Sequence, residues 1–237
     1  MVLRILASDF DGTLAKDGEV APECTAALRR WKRAGGKLLL ITGRELDDLV
    51  RIYPDLGLWD LAVVENGAVL LTPASGAVEL LGEPPTAELL DQLRAAGVRP
   101  LSHGRVILAS FEPMRERIRK VLRSAGVERD LIGNKGSLMV LPHGVNKSSG
   151  LTRALRVLGG AAEETVGLGD AENDLGFMAM CGLSVAPANA LVSVKRVAGM
   201  VTAGRHGVGI AQAIDDLLDQ GRGPEGTAPN PAVSSVR

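Results

Sequence analysis

Asp9 and Asp11 stand one residue apart at the end of an apolar run, Leu3-Arg4-Ile5-Leu6-Ala7-Ser8, and Gly12-Thr13-Leu14 follows them. A strand has a period of two, so both carboxylates leave an extended chain on the same side. Gly12 permits a sharp turn directly after the pair. Two like charges held together need a cation nearby or a proton on one of them. That is the starting condition for metal binding and for general acid–base work. A polar cap on a strand end accounts for an isolated Asp-x-Asp-Gly equally well, so the reading turns on what the rest of the chain places beside it.

Three further segments carry matching chemistry. Thr42-Gly43-Arg44 closes the run Lys37-Leu38-Leu39-Leu40-Ile41, offering a hydroxyl and backbone N–H groups for phosphate oxygens. Arg44 is either an anion ligand or a salt-bridge partner of Asp47 or Asp48. Gly169-Asp170-Ala171-Glu172-Asn173-Asp174 follows an apolar stretch ending at Leu168. Capping a helix needs one acid, whereas this turn has three and an Asn. Asp170 and Asp174 flank it at a spacing that can aim both at one ion, and Glu172 is expected to face solvent. Lys147 follows Pro142-His143-Gly144-Val145-Asn146 at a helix start, where an ammonium opposes the helix dipole. It reads as a partner for substrate or carboxylate, or else as a surface lysine. His103, His143 and His206 have no metal-ligand spacing and read as loop or surface residues. Arg99, His103 and Arg105 either meet a small anionic leaving group or face solvent.

Elements able to position these groups alternate along the chain. Strands are expected over residues 3–8, 37–41 and 61–64, with helices over 22–34 and 45–52 and a hairpin joining 68–71 to 77–81. The pattern changes at Gly82-Glu83-Pro84-Pro85. Residues 86–96 read as helix, 106–111 as strand, 114–125 as helix and 137–141 as strand, which is a small α+β insertion. After Pro142 the first pattern returns. Helices are expected over 147–158, 172–180, 190–198 and 208–218, and strands over 164–168, 183–186 and 200–201. Buried strands alternating with helices imply a parallel sheet covered on both faces. In such a sheet, ligands bind beyond the carboxyl ends of the strands. Every segment singled out above follows or leads into one of those ends. The expected organisation is a core of residues 1–81 and 143–220, an inserted domain over 82–142, and a disordered tail of Gly, Pro, Ser and Ala over 221–237.

Bulk properties narrow the function. The chain has 237 residues, enough for one core plus a smaller domain. Its net charge of −1 gives no global field to attract nucleic acid or an anionic membrane, and 3% aromatic content leaves no base-stacking platform. An anionic substrate must therefore meet a local cluster of cations. Cys24 and Cys181 have no paired spacing and read as reduced thiols in a cytoplasmic setting. No basic-then-apolar leader and no apolar run of membrane-spanning length is expected.

Together these segments resemble the haloacid dehalogenase superfamily of phosphotransferases. Asp9-Phe10-Asp11-Gly12-Thr13-Leu14 is similar to its first motif, Ile41-Thr42-Gly43-Arg44 to the second, Gly144-Val145-Asn146-Lys147 to the third and Gly169-Asp170-Ala171-Glu172-Asn173-Asp174 to the fourth. The insertion between the second and third motifs, preceded by Glu65-Asn66-Gly67-Ala68, resembles the cap of the Cof-type, subfamily IIB branch, which includes phosphoglycolate and sucrose-phosphate phosphatases. The resemblance implies a Rossmann-like doubly wound α/β core with a small α+β cap. It implies Mg²⁺-dependent hydrolysis of a small phosphorylated metabolite through an aspartyl-phosphate. Asp9 would be the nucleophile, Asp11 the acid and base, and Lys147 the charge-balancing cation. Gly12, Thr13, Thr42, Gly43 and Arg44 would hold the phosphoryl group. Mg²⁺ would be held by Asp9, Asp11 through its backbone carbonyl, Asp170 and Asp174, with Asn173 behind them. A phosphomutase of the phosphomannomutase type and a non-catalytic phosphate-binding module are the alternatives. A monomer or homodimer without nucleic-acid or membrane partners is expected.

Overall fold

The computed structural model describes residues 2–224. From the N-terminus run β1 (Ile5–Ser8), β2 (Ala15–Lys16), β3 (Glu19–Val20), α1 (Pro22–Arg33), β4 (Lys37–Ile41), α2 (Leu46–Ile52), β5 (Leu61–Val64), β6 (Val69–Thr72) and β7 (Ala77–Leu80). The middle of the chain forms α3 (Ala87–Ala95), β8 (Ser102–His103), β9 (Leu108–Phe111), α4 (Arg115–Ala125), β10 (Arg129–Asn134) and β11 (Ser137–Pro142). Then come α5 (Lys147–Leu158), β12 (Thr165–Leu168), α6 (Leu175–Met180), β13 (Leu183–Ala186), α7 (Val192–Val197), β14 (Met200–Val201) and α8 (His206–Asp219).

The main sheet has eight strands in the order β14-β13-β12-β1-β4-β5-β6-β7. Neighbours from β14 to β5 are parallel, and β6 and β7 add an antiparallel edge. Strand period divides its side chains between two cores. Leu6, Leu38 and Leu40 point into a cluster with Leu28 and Trp31 of α1, Leu49 of α2 and Ile210 and Ile214 of α8. Ile5, Ala7, Leu39 and Ile41 point the other way, against Leu151 and Leu155 of α5, Phe177 of α6 and Val194 of α7. This is a doubly wound α/β layer, and the same alternation sends Asp9 toward the α5 side.

Four antiparallel strands in the order β10-β11-β9-β8 form a second sheet. Leu108, Leu138 and Val140 pack with Leu89 and Leu93 of α3 and Ile118 and Leu122 of α4 into a core of their own. The opposite face of β11 supplies Met139 and Leu141, which join the main sheet's cluster together with Val106 and Ile107. One strand thus has a side in each core, and that holds this layer against the carboxyl edge of the main sheet.

The short strands β2, β3 and β8 have no counterpart in the sequence reading, and two further features depart from it. Residues 129–134 carry no alternating apolar pattern, yet β10 pairs with β11 over six residues, from Arg129 with Pro142 to Asn134 with Ser137. All six are half-buried, so cross-strand hydrogen bonding and not a hydrophobic face defines this strand. Residues 221–224, read as the start of a tail, continue the ordered chain: Arg222 and Gly223 donate to Leu217 O, and Arg222 O accepts from Leu3 N at 2.8 Å. The remainder of that expected tail lies outside the described residues. No helix among the described residues is long and apolar enough to cross a membrane.

Candidate active site

The carboxyl ends of β1, β4 and β12 and the start of α5 supply the candidate groups. Asp9 follows β1, its N–H donating to Leu168 O of β12 at 2.9 Å, and it is 5% exposed. Phe10 turns into the core, and Asp11 emerges beyond it. Thr42, Gly43 and Arg44 follow β4, and the Thr42 hydroxyl accepts from the Arg44 N–H. Lys147 begins α5, whose start is set by Asn146: its side chain accepts from Ser148 N and Ser149 N, and Ser149 Oγ accepts from Asn146 N. Gly67, at φ +110°, lets that helix start come close to the end of β5; a Cβ there would lie 1.9 Å from Asn146 O. Asp170 follows β12, with Asp174 one turn on. Asp174 Oδ2 accepts from both Asp170 N and Ala171 N at 2.9 Å, closing that turn.

The side chains then meet across the sheet. Lys147 Nζ lies 2.5 Å from Asp9 Oδ1 and 2.6 Å from Asp174 Oδ1, in a group almost sealed from solvent. Burial and the Asp174 charge push the Asp9 carboxyl up to about 7, with Lys147 pulling against them. Burial alone would lower Lys147, but the Asp174 and Asp9 carboxylates outweigh it and hold the ammonium charged. Asp170 is also raised, chiefly by burial, with Lys135 opposing. Arg44 holds Asp11 through two bonds, Nε–Oδ2 at 2.6 Å and Nη2–Oδ1 at 2.7 Å, and reaches Asp48 at 2.5 Å. The two aspartates of the first segment therefore have separate cationic partners.

Asp9, Asp11, Thr42, Gly43, Arg44, Lys147, Asp170 and Asn173 line one cavity of about 420 Å³, roofed by Ile107, Ala109, Asn134, Ser137 and Met139 of the four-stranded layer. A larger groove, about 890 Å³, runs along α1 past Thr25, Arg29 and Lys32. It has no nucleophile or carboxylate cluster and is not the site.

Asp9, Asp170 and Asp174 bring oxygen atoms within 4.8 Å of one another. An all-oxygen, multiply charged donor set suits a hard divalent cation. Burial first, and the neighbouring Asp174 charge after it, raise the Asp9 and Asp170 carboxyls, so a bound cation would offset a cost the cluster now bears. Gly12 is shaped to this cluster: its φ is +87°, and a Cβ there would stand 2.3 Å from Asp170 Oδ2. The residues present fit a divalent ion.

Several expectations change at this point. The Gly12 N–H donates to Ala15 O at 2.9 Å in this arrangement. Thr13 is fully buried, its hydroxyl 3.5 Å from Asp170 Oδ1, and it supports the acidic cluster from behind the cavity. Asp174 has both oxygens engaged, one with Lys147 and one with backbone N–H groups. Arg44 takes the ion-pair alternative, with Asp11 as an unforeseen second partner. Arg99, His103 and Arg105 do not line the cavity, and Arg105 lies 3.9 Å from Asp47. Glu172 is exposed, as expected.

Other residues escaped notice in the sequence. Asn66, at the end of β5, accepts from Asn173 Nδ2 at 3.0 Å. The carboxyl-edge rule applied to β5 would have found it. Asn189 Nδ2 donates to Gly12 O at 2.7 Å; His206, expected as a loop or surface residue, instead opens α8 half-buried, with Nδ1 3.0 Å from the same oxygen. Lys135 and Asn134 arrive from the four-stranded layer, and no spacing within the chain announces them.

Comparison with known proteins agrees with this construction. The sequence model of the haloacid dehalogenase-like hydrolases matches residues 6–80 and 110–214. A phosphoglycolate phosphatase from Methanothermobacter thermautotrophicus is 30% identical over 220 residues, covering 90% of this chain and 97% of that one. A haloacid dehalogenase-like hydrolase from Bacteroides thetaiotaomicron superposes with a TM-score of 0.76 at 19% identity, covering 91% of this chain and 99% of its own. The sucrose-phosphatase from Synechocystis superposes at 0.68 and 18% identity, covering 91% and 98%. With the matched segments carrying all the carboxylates of the cluster as well as Lys147, the chain belongs to the haloacid dehalogenase-like hydrolases.

Proposed function

We propose that this hydrolase is a Mg²⁺-dependent phosphatase acting on a small phosphorylated metabolite, phosphoglycolate or a sugar phosphate, through an aspartyl-phosphate at Asp9. The observation that carries the reading is the placement of Lys147 between Asp9 and Asp174 at the floor of a carboxylate-lined cavity. The phosphoglycolate phosphatase named above covers nearly the whole chain and supports the substrate class.

In the first step a carboxylate oxygen of Asp9 attacks phosphorus in line, and the bond from phosphorus to the leaving oxygen breaks. The leaving oxygen takes its proton from Asp11. In the second step water attacks the phosphorus of the aspartyl-phosphate and gives its proton to Asp11, which releases phosphate and restores Asp9. Splitting hydrolysis into two displacements is the covalent strategy. Arg44 holds both Asp11 carboxyl oxygens in the resting arrangement, so Asp11 must turn away from the guanidinium to reach the leaving oxygen. Lys147 holds the Asp9 carboxylate in place and offsets charge as the phosphoryl group approaches. The Thr42 hydroxyl, which accepts from Arg44 N–H and keeps its own proton to donate, and Gly43 would contact the phosphoryl oxygens. Mg²⁺, held by Asp9, the Asp11 carbonyl and Asp170 with Asp174 behind them, would neutralise phosphoryl charge. Residues 82–142 would act as a cap over the core of residues 1–81 and 143–220, closing the cavity against water.

The test is phosphate release from a panel of phosphorylated metabolites, with Mg²⁺ and with a chelator. Asp9→Ala is expected to fold and be inert, and Asp170→Asn to shift the Mg²⁺ dependence strongly. Near-normal turnover by Asp9→Ala removes Asp9 as nucleophile. A wild-type protein that hydrolyses no member yet isomerises a sugar phosphate in the presence of a bisphosphate is a mutase.

A further inference from the structure

The two cations that line the cavity are fully committed, and a third, Lys135, reaches it only through its bond to the lining residue Asp170. Arg44 is bound to Asp11 and Asp48, and Lys147 is buried between Asp9 and Asp174. The third, Lys135, has a single partner. Its Nζ lies 2.7 Å from Asp170 Oδ2, while 45% of its side chain stays exposed. It occupies the tip of the β10–β11 hairpin, where Lys135 and Gly136 have φ of +47° and +87°. A two-residue turn with both φ positive suits the twist of a hairpin, but a long side chain is uncommon at its first position, which favours Asn, Asp or Gly. From this tip the four-carbon stem carries the charge out of the four-stranded layer to the carboxylates of the main sheet.

The partner of Lys135 is the one that a divalent ion needs. Asp170 belongs to the three-carboxylate group, and an ammonium and a doubly charged ion on the same carboxylate repel strongly. Loading the ion therefore releases Lys135 beside the cavity, as a cation with no other carboxylate bound to it among the described residues. The other lining residues of the four-stranded layer are uncharged, Ile107, Ala109, Asn134, Ser137 and Met139, while Glu45 and Asp48 of the main-sheet side also line the cavity, Asp48 being paired with Arg44. An anionic end on the leaving group, which points away from Asp9 toward that roof, has Lys135 as its available counter-charge.

We propose that Lys135 is a specificity-determining residue: once its place on Asp170 is taken by the divalent ion, its ammonium binds the carboxylate of a small phosphorylated hydroxy acid. Phosphomonoesters whose leaving group is uncharged forgo that bond. The assignment rests on the phosphatase reading above and adds to it the group that selects the substrate. A charge-assisted bond of this kind is worth about 10- to 100-fold in kcat/KM.

The experiment compares 2-phosphoglycolate with ethyl phosphate for wild type, Lys135→Met and Lys135→Arg, alongside calorimetric Mg²⁺ titration of the substrate-free proteins. Lys135→Met should lose about 10- to 100-fold on 2-phosphoglycolate, mainly in KM, and at least 10-fold more than it loses on ethyl phosphate. Lys135→Arg should recover part of the loss. Mg²⁺ should bind Lys135→Met at least as tightly as wild type, because a competitor for Asp170 is gone. Equal losses on the two esters, no loss on 2-phosphoglycolate, or a weakened Mg²⁺ affinity that accounts for the loss would each overturn the assignment. A wild-type protein that releases phosphate from neither ester overturns the phosphatase reading itself. An active wild type whose Lys135→Met variant treats both esters alike overturns Lys135 alone.

Discussion

Glu65 offers the sharpest test of how the four-stranded layer is held over the site. It is fully buried at the end of β5, yet its carboxylate faces three backbone N–H groups of the loop before β9: Arg105 at 2.8 Å on Oε1, and Val106 at 2.8 Å and Ile107 at 3.0 Å on Oε2. Ile107 is part of the cavity roof. Replacing Glu65 with Gln keeps the shape and removes the charge. In the better of its two orientations the Gln carbonyl accepts from Val106 and Ile107, leaving its NH₂ against the Arg105 N–H. One orphaned donor costs about 1–3 kcal/mol, and losing charge assistance on the other two bonds costs about 1 kcal/mol each. The sum is about 3–5 kcal/mol. At 1.36 kcal/mol per factor of ten, local opening becomes roughly 10²- to 10⁴-fold more frequent. Native-state hydrogen exchange reads this directly. The amides of Arg105, Val106 and Ile107 should lose protection by that factor, while those of β1 and β4 keep theirs. A change below tenfold at residues 105–107 refutes the latch, and so does an equal loss in β1 and β4, which reports weakening of the whole fold.

Three other outcomes are expected. Gly12→Ala places a methyl group 2.3 Å from Asp170 Oδ2 at a φ of +87°; it should destabilise by about 1–3 kcal/mol in thermal unfolding and weaken divalent-ion binding measured by calorimetry. Lys147→Met leaves Asp9 and Asp174 buried without their cation, a loss of about 3–5 kcal/mol in denaturant unfolding at pH 8. That loss should shrink as pH falls and the uncompensated carboxylates take up protons; a loss independent of pH contradicts the electrostatic account. Burial pushes the thiols of Cys24 and Cys181 up to about 12, so at pH 8 only about 10⁻⁴ of each is thiolate. A thiol reagent should find neither cysteine in the native protein and both in denaturant, and fast native modification of either would contradict this.

Much of the core was legible because its information is local. The apolar runs at residues 37–41 and 61–64 are short, continuous and bounded by turn residues, which identifies buried parallel strands without any tertiary knowledge. Asp9, Thr42 and Asp170 were found because a parallel sheet collects whatever follows its strands at one edge, and Lys147 because it opens the helix that leads into one of those strands. β10 was not legible, since its residues lack alternation and the strand exists through its pairing with β11. Lys135 was hidden for the same reason, as a charged residue in a polar loop whose meaning depends on where the hairpin tip arrives.

Residue type and spacing alone determined the α/β alternation, the four chemical segments and the carboxylate-rich character of the site, because strand period and turn chemistry act over a few residues. Only the tertiary structure decided how the charges are shared. Lys147 stands between Asp9 and Asp174 across 138 and 27 residues of chain, Arg44 claims Asp11 across 33, and Lys135 reaches Asp170 across 35. It also decided that the Gly12 N–H donates to Ala15 O and that Arg99, His103 and Arg105 stay outside the cavity. Electrostatic partnership depends on distances of a few ångströms, and those are set by packing between elements far apart in sequence.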